Sequence, residues 1–389
     1  MLRGSALLRR VPTGDAVGTL AGFVETRVGV VEVRLFGIEF RMTVRHVECA
    51  LPGDGKRTSV PVPEHPPTVV PFVEMFSIGL VLSAGGPLGD PWHSGVLGRL
   101  QETTGWDPRR ADLVIGTSAG SITASILRAG VSSVDRALHF KGGPISPEAE
   151  AIYARITTPY DEPEIERDRG PLSPKMALKA AWPPWRADPV RLATANLPRG
   201  KKSGESLAAR MNELHDDRWP DEPIWIVAVR ANDGRRIVFG RDDVRGTIGQ
   251  AIQSSAAVPA VYVPSRIGER EYVDGGVHSS TNADLAGPPG FDLVIVSSVM
   301  TATPDQRSWL GDPSRAWFSA KLDDEVASVR RTGTPVLVVE PDGEALAKLN
   351  KDRDGFRADA VAAGADSLDR ALAGPDADGL HELLSRAVD

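Results

Sequence analysis

Five residues, Gly116-Thr117-Ser118-Ala119-Gly120, constrain the fold more than any other segment of the 389-residue chain. The run ADLVIGTSAG (111–120) opens as a continuous apolar stretch, and SITASILRAG (121–130) follows with helical spacing and ends at Gly130. The serine therefore falls where a buried strand turns into a helix. Such a turn is sharp and strained, and flanking glycines give the backbone room for it. The same alternation recurs along the chain. Apolar runs at 76–86, 224–231, 235–240, 291–299 and 335–341 read as strands, while 95–105, 248–258 and most of 343–372 read as helices. Continuous apolar strands separated by helices predict an α/β fold with a mostly parallel sheet covered on both faces.

Three regions depart from that rhythm. The first 74 residues carry nine Lys/Arg against eight Asp/Glu, a net of +1, which leaves −8 for the remainder of a chain whose total is −7. In them, Val31, Val33 and Leu35, then Ile38, Phe40, Met42 and Val44, alternate with polar residues. That is the period of half-buried strands, with Phe36-Gly37 as their turn. A Pro- and Gly-rich stretch (51–71) then reads as a linker. The expected boundaries are a small β-containing appendage with linker at 1–72 and one larger α/β domain at 73–389. Met75, just before the first strong strand, is an alternative start. The stretch 140–215 is rich in Pro, Arg and Trp and reads as an insertion with helix near 174–181 and 204–215. The tail (352–389) reads as solvated helix and turn.

Composition excludes several classes. With 41% apolar and 25% charged residues the chain is globular, and its mild acidity argues against a nucleic-acid partner. No apolar run approaches the roughly 20 residues of a membrane-spanning helix. The basic start has too short an apolar stretch for a signal peptide. A single cysteine, Cys49, rules out an intramolecular disulfide and fits a reducing, cytoplasmic setting. No His/Cys/Asp cluster has metal-ligand spacing, and no cofactor is implied.

Chemistry concentrates in three motifs. Ser118, at a strand-to-helix turn with a helix N-terminus behind it, suits a nucleophile as well as a structural turn. The loop Ser83-Ala84-Gly85-Gly86-Pro87-Leu88-Gly89 follows a strand. Its amides could converge on a phosphate or on the oxyanion of an acyl transfer, or simply close the strand. It fits neither common nucleotide-binding glycine pattern. Pro87 has no N–H, which leaves Gly85, Gly86 or Leu88 as donors. Tyr272-Val273-Asp274-Gly275-Gly276 reads first as an Asp-Gly turn, and otherwise as a general base held on a tight loop. Before it, the small-residue helix in AIQSSAAVP (251–259) can pack closely beneath a loop.

Taken in order, GLVLSAGGPLG, VIGTSAGSITASILRAG and AIQSSAAVPAVYVPSRIGEREYVDGGV resemble the patatin-like phospholipase family over roughly 76–300. The resemblance implies a three-layer α/β/α fold, a Ser–Asp dyad and hydrolysis of acyl esters of lipids, without a metal. It makes Ser118 the nucleophile, Asp274 the base, and the amides of Gly85 and Gly86 the oxyanion donors. Gly116, Gly120, Gly275 and Gly276 become the glycines of the two supporting turns. The expected partner is a lipid or acyl-ester substrate, with peripheral membrane contact allowed. Leu88 stands where the family usually carries Arg or Lys, and Ser83-Ala84 where glycine is usual.

Two other readings stand beside this one. A conventional α/β-hydrolase would need a histidine after its acid, and His381 is the one well past every candidate. A catalytically weak, lipid-binding regulator of the same fold is the other. Lys175–Arg186 mixes basic residues with Trp182 and Trp185 and suits a lipid interface. The commoner fate of such tryptophans, packing a loop against its own domain, is the expectation. His278 is expected in a loop, and Asn282 and Asp284 are expected to hold local backbone.

Overall fold

The computed structural model describes three strands within residues 7–44, then residues 76–161, 170–182, 188–349 and 354–374, and positions 377, 379 and 384. It divides into two compact units, Met1–Met75 and Phe76–Asp389. In the first unit, β1 (Leu7–Arg9), β2 (Gly29–Leu35) and β3 (Ile38–Val44) form an antiparallel sheet in that order. Leu35 pairs with Ile38, so β2 and β3 are the hairpin that the alternation predicts. Residues 51–71 lie outside the described ones.

The second unit begins with β4 (Ile78–Leu82), α1 (Gly89–Thr104), β5 (Leu113–Thr117) and α2 (Ala119–Arg128). Then come α3 (Ser133–Lys141), α4 (Pro147–Tyr153), α5 (Pro174–Ala181), α6 (Pro189–Asn196) and α7 (Glu205–Leu214). After them β6 (Ile224–Arg230) and β7 (Arg236–Phe239) lead to α8 (Ile248–Ser255), β8 (Ser265–Ile267) and β9 (Arg270–Asp274). Last are β10 (Leu293–Ser297), α9 (Pro313–Arg330), β11 (Val336–Val339), α10 (Gly343–Lys348) and α11 (Phe356–Leu372).

Among the described residues, eight of these strands make one sheet, ordered β11-β10-β4-β5-β6-β9-β8 with β7 also on β6. The run from β11 to β6 is parallel, and β7, β8 and β9 join antiparallel. Every residue of β4, β5 and β10 is buried, as their continuous apolar character requires. Successive residues point to opposite faces. Leu80 and Leu82 join a core with Trp92 and Leu127 of α1 and α2, while Val81 joins Leu322 and Val326 of α9 on the other side. This is a three-layer α/β/α fold. No described helix is long and apolar enough to cross a membrane.

Three expectations change. Helix α1 starts at Gly89, six residues before the apolar spacing shows it, because its first turn tolerates Pro91 and is buried on all sides. The predicted helix at 343–372 is two, α10 and α11. The described part of the tail is not wholly solvated: Val361 and Leu368 of α11 are buried, and α11 packs against α1. The two helices approach so closely that a Cβ on Gly95 would lie 2.1 Å from the Val361 carbonyl oxygen. Small Ala and Gly residues make that face, so it lacks the bulky stripe that marks a buried helix in a sequence.

Candidate active site

Register along β6 builds the site. Ile226 and Val227 pair with β5 and β7 at once, whereas Ala228 and Val229 pair with β7 and β9. Strands β5 and β9 therefore share one edge of β6, end to end. Thr117 closes β5 opposite Val227, and Asp274 closes β9 opposite Ala228. Two strands entering from opposite directions so deliver Ser118 and Asp274 to one point.

Ser118 stands at the N-terminus of α2 with φ 53° and ψ −117°, a conformation that costs a non-glycine residue about 1–3 kcal/mol. Its surroundings hold it there. Its N–H donates to Ser255 Oγ at 2.8 Å, and Ser255 Oγ donates to the Val227 carbonyl at 2.6 Å. The Ser121 hydroxyl donates to the Ser118 carbonyl at 2.6 Å. A Cβ on Gly116 would lie 2.6 Å from Ser121 Cα, and one on Gly120 would lie 2.1 Å from the Leu82 carbonyl. Both glycines are required by close approach of backbone.

Asp274 is 5% exposed and Ser118 4%. Burial raises the Asp274 carboxyl to about 6, against the pull of the Ser118 hydroxyl that faces it and of the Gly276 N–H. The Gly276 N–H donates to Asp274 Oδ1 at 2.7 Å, which fixes one carboxylate oxygen. The Asp274 N–H donates to the Ala257 carbonyl at 3.0 Å, so the end of α8 holds both the elbow, through Ser255, and the acid. Gly275 leaves no space for a side chain: its Cβ would meet the Val227 carbonyl at 2.4 Å.

The glycine-rich loop lies between them. Gly89 abuts Ala119, next to Ser118, and Gly276 abuts Ala84. Gly86 has φ 53°, and Gly85 is wedged against Gly89 and Val299. Among the described residues no acceptor takes the Gly85 or Gly86 N–H. The loop is pinned by its neighbours: the Ala84 N–H donates to the Ser280 carbonyl at 2.7 Å, and the Ser83 carbonyl accepts from Gly120 N–H at 3.1 Å.

The described histidines that adjoin the motifs serve other groups. His93 is fully buried, with Nε2 2.9 Å from the Ser83 carbonyl and Nδ1 2.8 Å from Ser297 Oγ. Burial lowers it to about 4, so the neutral ring donates to Ser83 and accepts from Ser297. His278 is bonded to Arg191, and burial followed by nearby Arg236 and Arg191 lowers it to about 3. His215 bonds Ser125. His381 lies outside the described residues, as do Trp185 and Arg186.

The motif reading missed Ser255, His93 as a loop anchor, and the full reach of Asn282. Asn282, in the left-handed region, donates from Nδ2 to Thr117 Oγ1 at 3.2 Å and to the Ser279 carbonyl at 2.8 Å. Asp284 pairs with Arg236 at 2.7 Å. The only sequence signal for Ser255 is the run of small residues in α8. Ser255→Ala leaves the buried Ser118 N–H without an acceptor, which costs about 1–3 kcal/mol. Urea melts should show that loss, and the reactivity of Ser118 should fall about tenfold or more. Unchanged stability and reactivity would remove Ser255 from this role.

Residues 80–286 match the patatin-like phospholipase family. The chain belongs to that family, which acts on ester bonds of lipids. Among solved structures it is similar to VipD from Legionella pneumophila, at 15% identity and a TM-score of 0.36, over 77% of this chain and 67% of that one. It is also similar to the type III effector protein ExoU, at 14% identity and a TM-score of 0.29, over 89% of this chain and 58% of that one. The chain thus spans less than two thirds of ExoU.

Proposed function

We propose that the chain is a serine hydrolase cleaving acyl esters of lipids, of the phospholipase A or lysophospholipase type, with Ser118 as nucleophile and Asp274 as base. The observation that carries this is the β6 register, which sets a strained serine against a buried carboxylate raised to about 6. At neutral pH the carboxylate is ionised yet more basic than a solvated one. It takes the hydroxyl proton as Ser118 Oγ attacks the ester carbonyl. The Gly85 and Gly86 amides, which have no acceptor among the described residues, stabilise the tetrahedral oxyanion. Collapse breaks the ester C–O bond, and Asp274 returns the proton to the departing alcohol. Water then attacks the acyl-enzyme, Asp274 accepts its proton, and collapse frees the carboxylic acid and Ser118.

A fluorophosphonate should label Ser118 alone, read by mass spectrometry of its peptide, and Ser118→Ala should abolish both labelling and turnover in a screen of acyl esters and phospholipids. An adduct elsewhere, or none on folded protein, overturns the assignment and favours the lipid-binding regulator. The single cysteine supports a cytoplasmic setting, and a lipid substrate would bring the chain to a membrane surface.

We further propose that residues 73–389 act as the hydrolase domain without 1–72, since all three motifs lie in Phe76–Asp389. A chain starting at Val73 should fold and hydrolyse a soluble ester at the full-length rate. Insolubility would place the N-terminal strands in the core of the domain.

A further inference from the structure

Helix α5 buries an apolar face and exposes large apolar side chains on the other as well. Leu172, Ser173, Met176 and Ala180 are buried, while Lys175, Leu178, Lys179 and Trp182 are exposed. Lys175, Leu178 and Lys179 follow i, i+3, i+4 spacing, one stripe of the helical surface, and Trp182 is the extended residue that ends the helix. Leu178 is 71% and Trp182 70% exposed, so the expected packing of Trp182 against its own domain does not occur. The inner face packs on the acid's own strand: Met176 shares a cluster with Val273 and Val277, which flank Asp274.

The surroundings repeat the pattern. Among the described residues eight large apolar side chains are exposed, and five of them, Leu178, Trp182, Leu197, Val258 and Val261, belong to segments joined in series by backbone hydrogen bonds. The Leu172 N–H donates to the Leu197 carbonyl, and the N–H groups of Lys201 and Lys202 donate to the Val261 carbonyl. Val258 follows Ala257, the acceptor for the Asp274 N–H. Lys201 and Lys202 are exposed, as are Lys175 and Lys179, the last 4.0 Å from Asp233. A chain of net charge −7 thus gathers lysines around exposed Trp, Leu and Val.

We propose that the α5 stripe, with the adjoining Leu197 and Val258–Val261 segments, docks the protein on an anionic lipid surface. The apolar side chains enter the acyl boundary while the lysines meet the head groups, the division of labour that interfacial helices use. A bilayer fits this patch better than a second acidic copy of the chain, because the lysines would face like groups in a symmetric contact. The docked face adjoins the strand of Asp274. The proposal rests on the lipid-hydrolase reading, and its test does not need turnover.

Binding is measured by co-sedimentation of full-length Ser118→Ala protein with vesicles of phosphatidylcholine alone, or of equal parts phosphatidylcholine and phosphatidylglycerol. The protein should partition to the mixed vesicles more strongly. Adding Leu178→Ser with Trp182→Ser should lower partitioning about tenfold or more. Lys175→Glu with Lys179→Glu should lower it similarly on the mixed vesicles and little on the neutral ones. In the wild-type background both pairs should leave soluble-ester hydrolysis unchanged. Unaltered partitioning in both pairs overturns the docking surface, and so does a dimer in solution that the substitutions split. Absence of soluble-ester turnover in the wild type, with the binding pattern intact, instead removes the hydrolase reading and leaves the surface standing.

Discussion

Asp274→Asn should stop turnover and make the protein more stable at pH 8. The folded state holds this carboxyl near 6, up from 3.8, because burial disfavours the charge. A raised carboxyl binds its proton more tightly in the folded chain than in the unfolded one. Its favourable contribution is therefore complete below about pH 4 and is lost as pH rises to about 6. Above that, ionised Asp274 costs the fold about 2–3 kcal/mol, from roughly two pKa units. Asparagine keeps the oxygen that accepts from Gly276 and carries no charge. The variant should match the wild type in urea melts near pH 4 and exceed it at pH 8. As a base it is useless, so kcat should fall by about a hundredfold to ten-thousandfold. Wild-type kcat/KM should rise with pH around an apparent pKa near 6. Ser118→Ala should be as damaging, and the double variant little worse, since the two residues act as a unit. Near-normal turnover in Asp274→Asn would end the dyad assignment. None of the seven histidines should rival these losses in a folded variant, though His93→Ala should loosen the loop that it anchors through Ser83.

Gly120→Ala should be the most destructive single-methyl change in the site. Its Cβ would lie 2.1 Å from the Leu82 carbonyl and 2.7 Å from that of Ser83, backbone atoms at the end of a buried central strand. Neither can yield without breaking the sheet, so a loss of about 3 kcal/mol or more is expected. Gly85→Ala meets Gly89 Cα and Val299 Cγ1 at 2.5 Å. It should distort the donor loop and lower kcat by about a hundredfold or more, the effect of losing an oxyanion donor. Gly86→Ala is the control. Open space surrounds it, and only φ 53° opposes a side chain, at about 1–2 kcal/mol. It should fold and retain most activity. If Gly120→Ala melts like the wild type in urea, the tight strand–helix contact described above is wrong.

What could be read in advance was what is local in sequence. Apolar runs announced β4, β5, β6 and β10, and the elbow showed itself because strand, glycines and helix are contiguous. Asp274 needed the neighbouring glycines and the resemblance to stand out from an ordinary turn. The missed features are long-range. Ser255 is 137 residues from the amide that it holds, and nothing in its neighbourhood distinguishes it from Ser254. His93 lies four residues past Gly89 of the donor loop, yet its ring serves the Ser83 carbonyl and the Ser297 hydroxyl across three elements. The shared edge of β6 arises from pairing partners on both sides of one strand, which no periodicity encodes. Trp182 reversed its expectation because composition reports a tryptophan's presence and not which way the extended backbone after α5 turns it.

The end-to-end arrangement of β5 and β9 on β6 has an evolutionary corollary. The alignment of serine and acid is set by hydrogen-bond register on one strand, not by the length of chain between them. Residues 130–223, which hold α3 to α7, take no part in that pairing, and they touch the acid's strand through Leu172, Met176 and Ala195, which cluster with Val273 and Val277. A recombined protein that keeps those three residues would hold Ser118 and Asp274 in the same register through foreign segments elsewhere between Gly130 and Ile224.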